Sequence, residues 1–409
     1  MSSRRAASAA PLPSSAPLVW LNWRHRTEGA PARSSAEFAL YSDVHLTGDL
    51  SIEGSPYALF NTVPLRPADP ENWGSELALV LRVDDHLSNP DNSTSSTWLV
   101  NSAIDDQLAG LLSLALSARL QPGGVTRVFG TTSEDPKGRP GEWGHTRPYL
   151  SSPVGGGFQL PRLRRSVDLQ QAGDLVATLP KLSPENATAL VRAARLYRDA
   201  LWIADSDPSE AWLKLASALE AAAAAWARDS GTPADRLTES MPALTATLRE
   251  AGGDELVDKV AADLAHLVKS TERFVNFVMT YEPGPPATRP PGYSRLDWED
   301  LRRTMRVVYG WRSRALHEGV AVPWAMCALP RVSPAGGIDE TPIGEGAYEA
   351  GELIGRRDLP MLLQTFEYVA CSVLQAWWHE MAQETWTGAT PVVDAPQLHN
   401  RGVIVVNLG

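Results

Sequence analysis

The feature that most constrains this chain is a change of hydrophobic period near Ser183. Upstream, short apolar runs alternate with turn residues. Downstream, apolar residues recur three and four positions apart, the period of a helix. Ser183-Pro184-Glu185 opens the change with a Ser at the N-cap and a Pro at the first helical position. From there the spacing predicts six helices: 187–204, 208–226, 234–251, 254–281, 297–316 and 359–385. Gly252-Gly253 ends the third, and a proline-rich loop from Pro283 to Pro291 separates the fourth from the fifth. In the fourth, Leu256, Val260, Leu264, Leu267 and Val268 fall on one stripe. Helices of this number joined by such loops form an antiparallel bundle over residues 183–388.

The first half reads differently. Residues 1–17 are rich in Ser, Ala and Pro, the composition of a disordered tail. Over 18–165 the chain reads as α+β, mostly β. Glu37–Asp43 and Glu76–Val83 have strand character, and Val125–Phe129 reads as a third strand. Between them, Leu108, Leu111, Leu112, Ala115 and Leu116 give helical spacing over Asp105–Leu120, with Pro122-Gly123-Gly124 as its stop. Residues 166–182 read as a linker, and 389–409 as a tail with one short strand, Gly402–Asn407. The expected fold is therefore multidomain: an α+β unit of unknown role, for which a sensor or regulatory one is considered, then an all-α bundle. A length of 409 residues, beyond the usual single core, agrees with this division.

The formal charge of −11 argues against a protein that coats nucleic acid nonspecifically, but it leaves room for one local basic cleft. No run approaches the length of a membrane span, and no secretory segment stands out behind Arg4 and Arg5. Cys327 and Cys371 are the only cysteines, so a reduced, cytoplasmic setting is expected. His25, His45, His86, His145, His266, His379 and His399 show no metal-ligand spacing, so neither a metal nor another cofactor is expected. Gly155-Gly156-Gly157 lacks the Lys and Ser/Thr of a phosphate loop.

Chemistry concentrates in Val307–Gly319. Between Leu301 and His317 stand Arg302, Arg303, Arg306, Arg312 and Arg314 with no acidic residue among them, a zone suited to phosphate. Tyr309, Arg312-Ser313, His317 and Gly319 form a pattern in which four residues separate the Arg from the His. With Ala218-Leu219-Glu220 on an earlier helix, residues 183–388 resemble an ApeA-like HEPN domain, a branch of the HEPN ribonuclease superfamily. The resemblance implies a metal-independent RNA endonuclease with Arg312 and His317 as the catalytic pair. It also implies a homodimer that brings two such pairs into one cleft, and a role in toxin-like or antiviral defence.

The residue chemistry agrees. His317 can take the proton of a 2′-hydroxyl or give one to the leaving 5′-oxygen. Arg312 can hold the scissile phosphate with two N–H groups. Attack by the 2′-oxygen restricts the substrate to RNA. Supporting roles fall to Ser313, which can orient His317, to Tyr309, and to Glu220, which can pair with Arg312. Arg314, Arg306 and Arg303 are the expected RNA contacts. Five residues along a straight helix amount to a turn of about 140°. Convergence of Arg312 and His317 within one chain therefore needs the helix to end or distort near Leu316, for which Gly319 and Pro323 supply a stop. The alternative is a noncatalytic HEPN module that binds RNA or a partner protein and needs only exposed arginines. A coincidental pair would show His317 buried or turned away.

Overall fold

The computed structural model of the protein describes residues 16–62, 76–87, 94–130, 135–141, 146–150, 157–226, 232–349 and 351–384. The tail before Ala16, the expected strand at Gly402–Asn407, and Gly155 and Gly156 lie outside them.

The first half begins with α1 (Leu18–Thr27), then β1 (Ser34–Ser42), β2 (His45–Thr47), β3 (Leu50–Ser51), β4 (Tyr57–Asn61) and β5 (Glu76–Asp85). After them come α2 (Thr94–Leu116), β6 (Gln121–Phe129), β7 (Arg139–Pro140) and β8 (Ser166–Asp168). Six strands make one antiparallel sheet in the order β3-β4-β5-β1-β6-β7. Alternation along the strands decides which face is covered. Ala36, Phe38 and Leu40 of β1 and Leu79, Leu81 and Val83 of β5 enter the core. Glu37 lies on the other face, flanked by Arg82 at 4.0 Å and Arg127 at 3.7 Å.

Two boundaries differ from expectation. The helix begins at Thr94 and stops at Leu116, where Ser117 takes a φ of 48°. Pro122-Gly123-Gly124 therefore lies inside β6 rather than before it, and the β1–β6 register shifts twice to admit it.

The second half holds α3 (Gly173–Val176), α4 (Pro184–Ile203), α5 (Pro208–Trp226), α6 (Pro233–Ser240), α7 (Pro242–Thr280), α8 (Leu301–Glu318), the hairpin β9 (Gly346–Glu349) and β10 (Glu352–Gly355), and α9 (Leu363–Gln383). Ser183 caps α4 by accepting from the Asn186 amide at 3.2 Å. The expected break at Gly252-Gly253 is a kink within α7, with non-helical φ/ψ at both glycines. A small apolar cluster of Leu237, Val257 and Ala261 packs α6 against α7, apart from the main core. Among the described residues no helix is long and apolar enough to cross a membrane.

The two halves share one apolar core that runs from Ala16 to Met381. Helix α2 of the first half crosses α4 of the second at Gly110, where a Cβ would sit 3.1 Å from the Arg195 amide nitrogen. Residues 166–182, expected as a linker, are built into this core: Val167, Leu169, Ala172 and Leu179 are fully buried. The physical reason is their spacing, which places an apolar side chain inward every two to four residues.

A buried ion cluster joins the halves as well. Arg119, fully buried, donates to Asp43 at 2.7 Å, to Asp205 at 2.8 Å and to the Leu201 carbonyl at 2.6 Å. Burial alone would lower its pKa, but the two carboxylates outweigh that and the guanidinium stays charged. Arg119→Ala would leave buried Asp205 without its cation and Asp43 with Arg164 alone, so urea unfolding should show a loss of about 3–5 kcal/mol.

Asp105, near the middle of α2, is buried, and burial pushes its carboxyl up from 3.8 to about 7. The folded state then binds its proton more tightly than the unfolded state. Asp105 thus contributes stability that is present below pH 3.8 and is lost as pH rises toward about 7. Asp105→Asn should raise the melting temperature at neutral pH and flatten the pH dependence across that window.

Candidate functional site

Helix α8 buries Leu301, Thr304, Met305, Val308, Tyr309 and Trp311 along one stripe. That stripe fixes where the arginines point, and each of the five meets a carboxylate. Glu272 of α7, nearly buried, takes Arg306 in a two-pronged pair at 3.0 and 3.2 Å and has Arg302 at 3.9 Å. Arg302 also donates to Asn276 at 2.8 Å. Arg303 pairs with Asp300 at 2.9 Å, and Arg314 reaches Glu318 at 3.5 Å while lying 4.5 Å over the Trp311 ring. Arg312 pairs with Glu220 of α5. The positive zone expected from Leu301 to His317 is thus neutralised in three dimensions, because its partners lie on α5 and α7 or just outside the window at Asp300 and Glu318.

Three of the expected residues form one constellation. Glu220 holds Arg312 through one oxygen and accepts from the Tyr309 hydroxyl at 3.1 Å through the other. The Arg312 guanidinium lies 5.5 Å over the Tyr309 ring, and Phe274 packs against that ring at 5.1 Å. Burial raises the Tyr309 pKa above 10, and the Glu220 carboxylate adds to the rise. The Arg312 Nε–H is buried with no hydrogen-bond partner among the described residues.

His317 stands elsewhere. Helix α8 ends at Glu318, two residues past Leu316, and Gly319 closes it in the left-handed conformation at φ 69° as expected, but His317 still lies within the regular helix. The turn of about 140° between Arg312 and His317 therefore persists. His317 is exposed in the last turn, at the negative end of the helix dipole. Ser313 lies one turn before it and is half-buried, and neither side chain makes a hydrogen bond among the described residues.

Sequence reasoning missed Glu272, Asn276 and Phe274. Part of the signal was present: Glu272 and Asn276, four apart, share one face of α7, while Phe274 is two positions from each. Which helix that face would meet was not readable. Among the described residues, no group of three or more His, Cys, Asp or Glu side chains is placed to hold a metal ion. Cys327 and Cys371 are both free, and burial raises both thiols. Comparison of the chain with protein-family models, with curated proteins and with solved structures finds no match.

Replacing Glu220 leaves a part-buried guanidinium unpaired, so Glu220→Ala should cost about 2 kcal/mol in chemical denaturation. Glu220→Gln should also bring the Tyr309 phenol down toward its ordinary pKa. An ultraviolet titration, with Tyr309→Phe subtracted to isolate its signal, reads that change.

Proposed function

We propose that the protein is a HEPN-type, metal-independent RNA endonuclease whose site is completed by a second copy of the chain. The observation that carries this reading is the Glu220–Arg312–Tyr309 constellation. A carboxylate fixes one edge of the guanidinium, so Arg312 is oriented before substrate arrives rather than at the moment of reaction. His317, exposed at the end of the same helix, has the freedom to meet a phosphodiester.

Because Arg312 and His317 diverge along a regular helix, one chain does not direct both at the same phosphate. A symmetric pair of copies can, with the Arg of one facing the His of the other. In that arrangement His317 takes the 2′-hydroxyl proton and the 2′-oxygen attacks phosphorus. The 5′-oxygen leaves with a proton drawn from water and the imidazolium returns its own to solvent, giving a 2′,3′-cyclic phosphate and a 5′-hydroxyl. Arg312 holds the charge that develops on the non-bridging oxygens.

A noncatalytic RNA-binding or protein-interaction module is the second reading. The pairing of all five α8 arginines with carboxylates favours it, since a paired guanidinium has fewer N–H groups to offer a phosphate. A defence role belongs to the proposal through the resemblance alone.

RNA cleavage in EDTA separates the two readings. The wild type should cut, and His317→Ala and Arg312→Ala should each lower the rate about 10² to 10⁴-fold. Mixing the two inactive variants tests the shared site. Mixed dimers carry one intact Arg–His combination, so random exchange should restore about a quarter of the wild-type sites. No recovery on mixing would place the pair within one chain. No cutting by the wild type would leave the binding-module reading.

A further inference from the structure

Three cations without a carboxylate partner among the described residues lie beside α8 rather than on it. Arg356 and Arg357 occupy the turn between β10 and α9, and Arg295 follows the loop after α7. All three are exposed, and none forms an ion pair among the described residues. Three contacts dock this turn and loop on one another and on α8. Trp311 donates to the Asp358 carbonyl at 2.7 Å, Arg303 to the Arg357 carbonyl at 3.5 Å, and Arg356 to the Tyr293 carbonyl at 3.1 Å. Tyr293 is 58% exposed, with the Arg331 guanidinium 5.8 Å from its ring. Arg331 itself is paired with Asp339, and Asp358 is the turn's own carboxylate.

We infer that Tyr293, Arg295, Arg356 and Arg357 form a binding track for single-stranded RNA alongside α8. Arg295 and Arg356 each give one N–H to a carbonyl, of Pro290 at 2.6 Å and of Tyr293 at 3.1 Å, and keep the others. An exposed aromatic ring among guanidinium groups that no carboxylate neutralises is the arrangement that serves a single strand. The cations follow the phosphates, and the ring stacks a base without regard to sequence. A duplex would leave the ring without a base to stack, because its bases face inward. In a chain of net charge −11, such a local cluster also directs a polyanion to one place. The inference rests on the RNA reading above, leaves the scissile phosphate to Arg312, and moves the flanking phosphate contacts from Arg303, Arg306 and Arg314 to the loops. Arg306 is tied to α7, and Arg303 and Arg314 to the carboxylates at the ends of α8.

The test is binding of a fluorescent 2′-O-methyl RNA of about 12 nucleotides, long enough for such a site, to the full chain. The probe lacks the attacking hydroxyl, so binding is read apart from cleavage. Arg356→Ala combined with Arg357→Ala should weaken binding about tenfold or more at low salt, and should reduce the slope of log K against log salt by about 1.4. Tyr293→Ala should weaken binding about tenfold with the slope unchanged, because it removes a stack rather than a charge. The Arg357 side chain makes no hydrogen bond among the described residues, so Arg357→Ala alone tests the track without disturbing a protein contact. Binding within about twofold of wild type in these variants would overturn the track while leaving the RNA reading intact. Displacement of the probe by polyglutamate as readily as by RNA would overturn it in favour of an acidic protein partner. Failure of the wild type to bind would also overturn it, and the cleavage assay would decide separately whether the nuclease reading falls with it.

Discussion

A single buried cation decides how this molecule is assembled. Arg119 sits just after α2, and its two carboxylate partners come from far apart in sequence: Asp43 after β1 and Asp205 between α4 and α5. A guanidinium leaves water at a cost of several kcal/mol unless its partners are already in place. Sheet, α2 and the α4–α5 turn must therefore be brought together before the charge can be buried. The neighbouring segment repeats the device. Arg162 donates to the fully buried Glu367 of α9 at 2.6 Å, and Tyr197 of α4 donates to the same carboxylate at 2.6 Å. Gln159 reaches the Asp205 carboxylate with its amide and the Cys327 carbonyl with its side chain, while Arg164 reaches Asp43. Residues 159–164, just before the stretch expected as a linker, are thus a strip along which the halves are fastened.

That fastening bears on the candidate site through α5. The helix starts immediately after Asp207, three residues past Asp205 of the Arg119 cluster, and carries Glu220 toward its far end. Fixing its start against the sheet fixes where the Glu220 carboxylate stands, and so where Arg312 and Tyr309 can find it. The exit of α8 is tied to the same body: Ser209 accepts from the Val322 amide at 3.3 Å, and Trp212 donates to the Met326 carbonyl at 3.3 Å. The first half thus touches the chemistry as a brace on α5 and on the chain that follows α8.

Charge on α8 illustrates the difference between a sequence window and a surface. Five arginines without an acid form a basic stretch in one dimension. In the fold, α7 supplies Glu272, α5 supplies Glu220, and the helix ends supply Asp300 and Glu318. Beside α8, positive charge without a carboxylate partner among the described residues is left to Arg295, Arg356 and Arg357, which stand singly or in a pair in loops that drew no notice as motifs.

The sequence alone determined the local elements. Period and caps placed α4, α5, α8, α9 and the Gly252-Gly253 break, and strand alternation found β1 and β5, because these depend on residues within a few positions of one another. It also singled out Tyr309, Arg312 and Glu220, which the fold brings into contact, along with Ser313 and His317, which it leaves apart from them. Tertiary structure alone decided the rest: that one core spans both halves, that residues 166–182 are packed, that α8 runs on past Leu316, and that its arginines are neutralised. Each of these depends on which surfaces meet. Burial of charge and of apolar area is settled between elements distant in sequence, where the local period is silent.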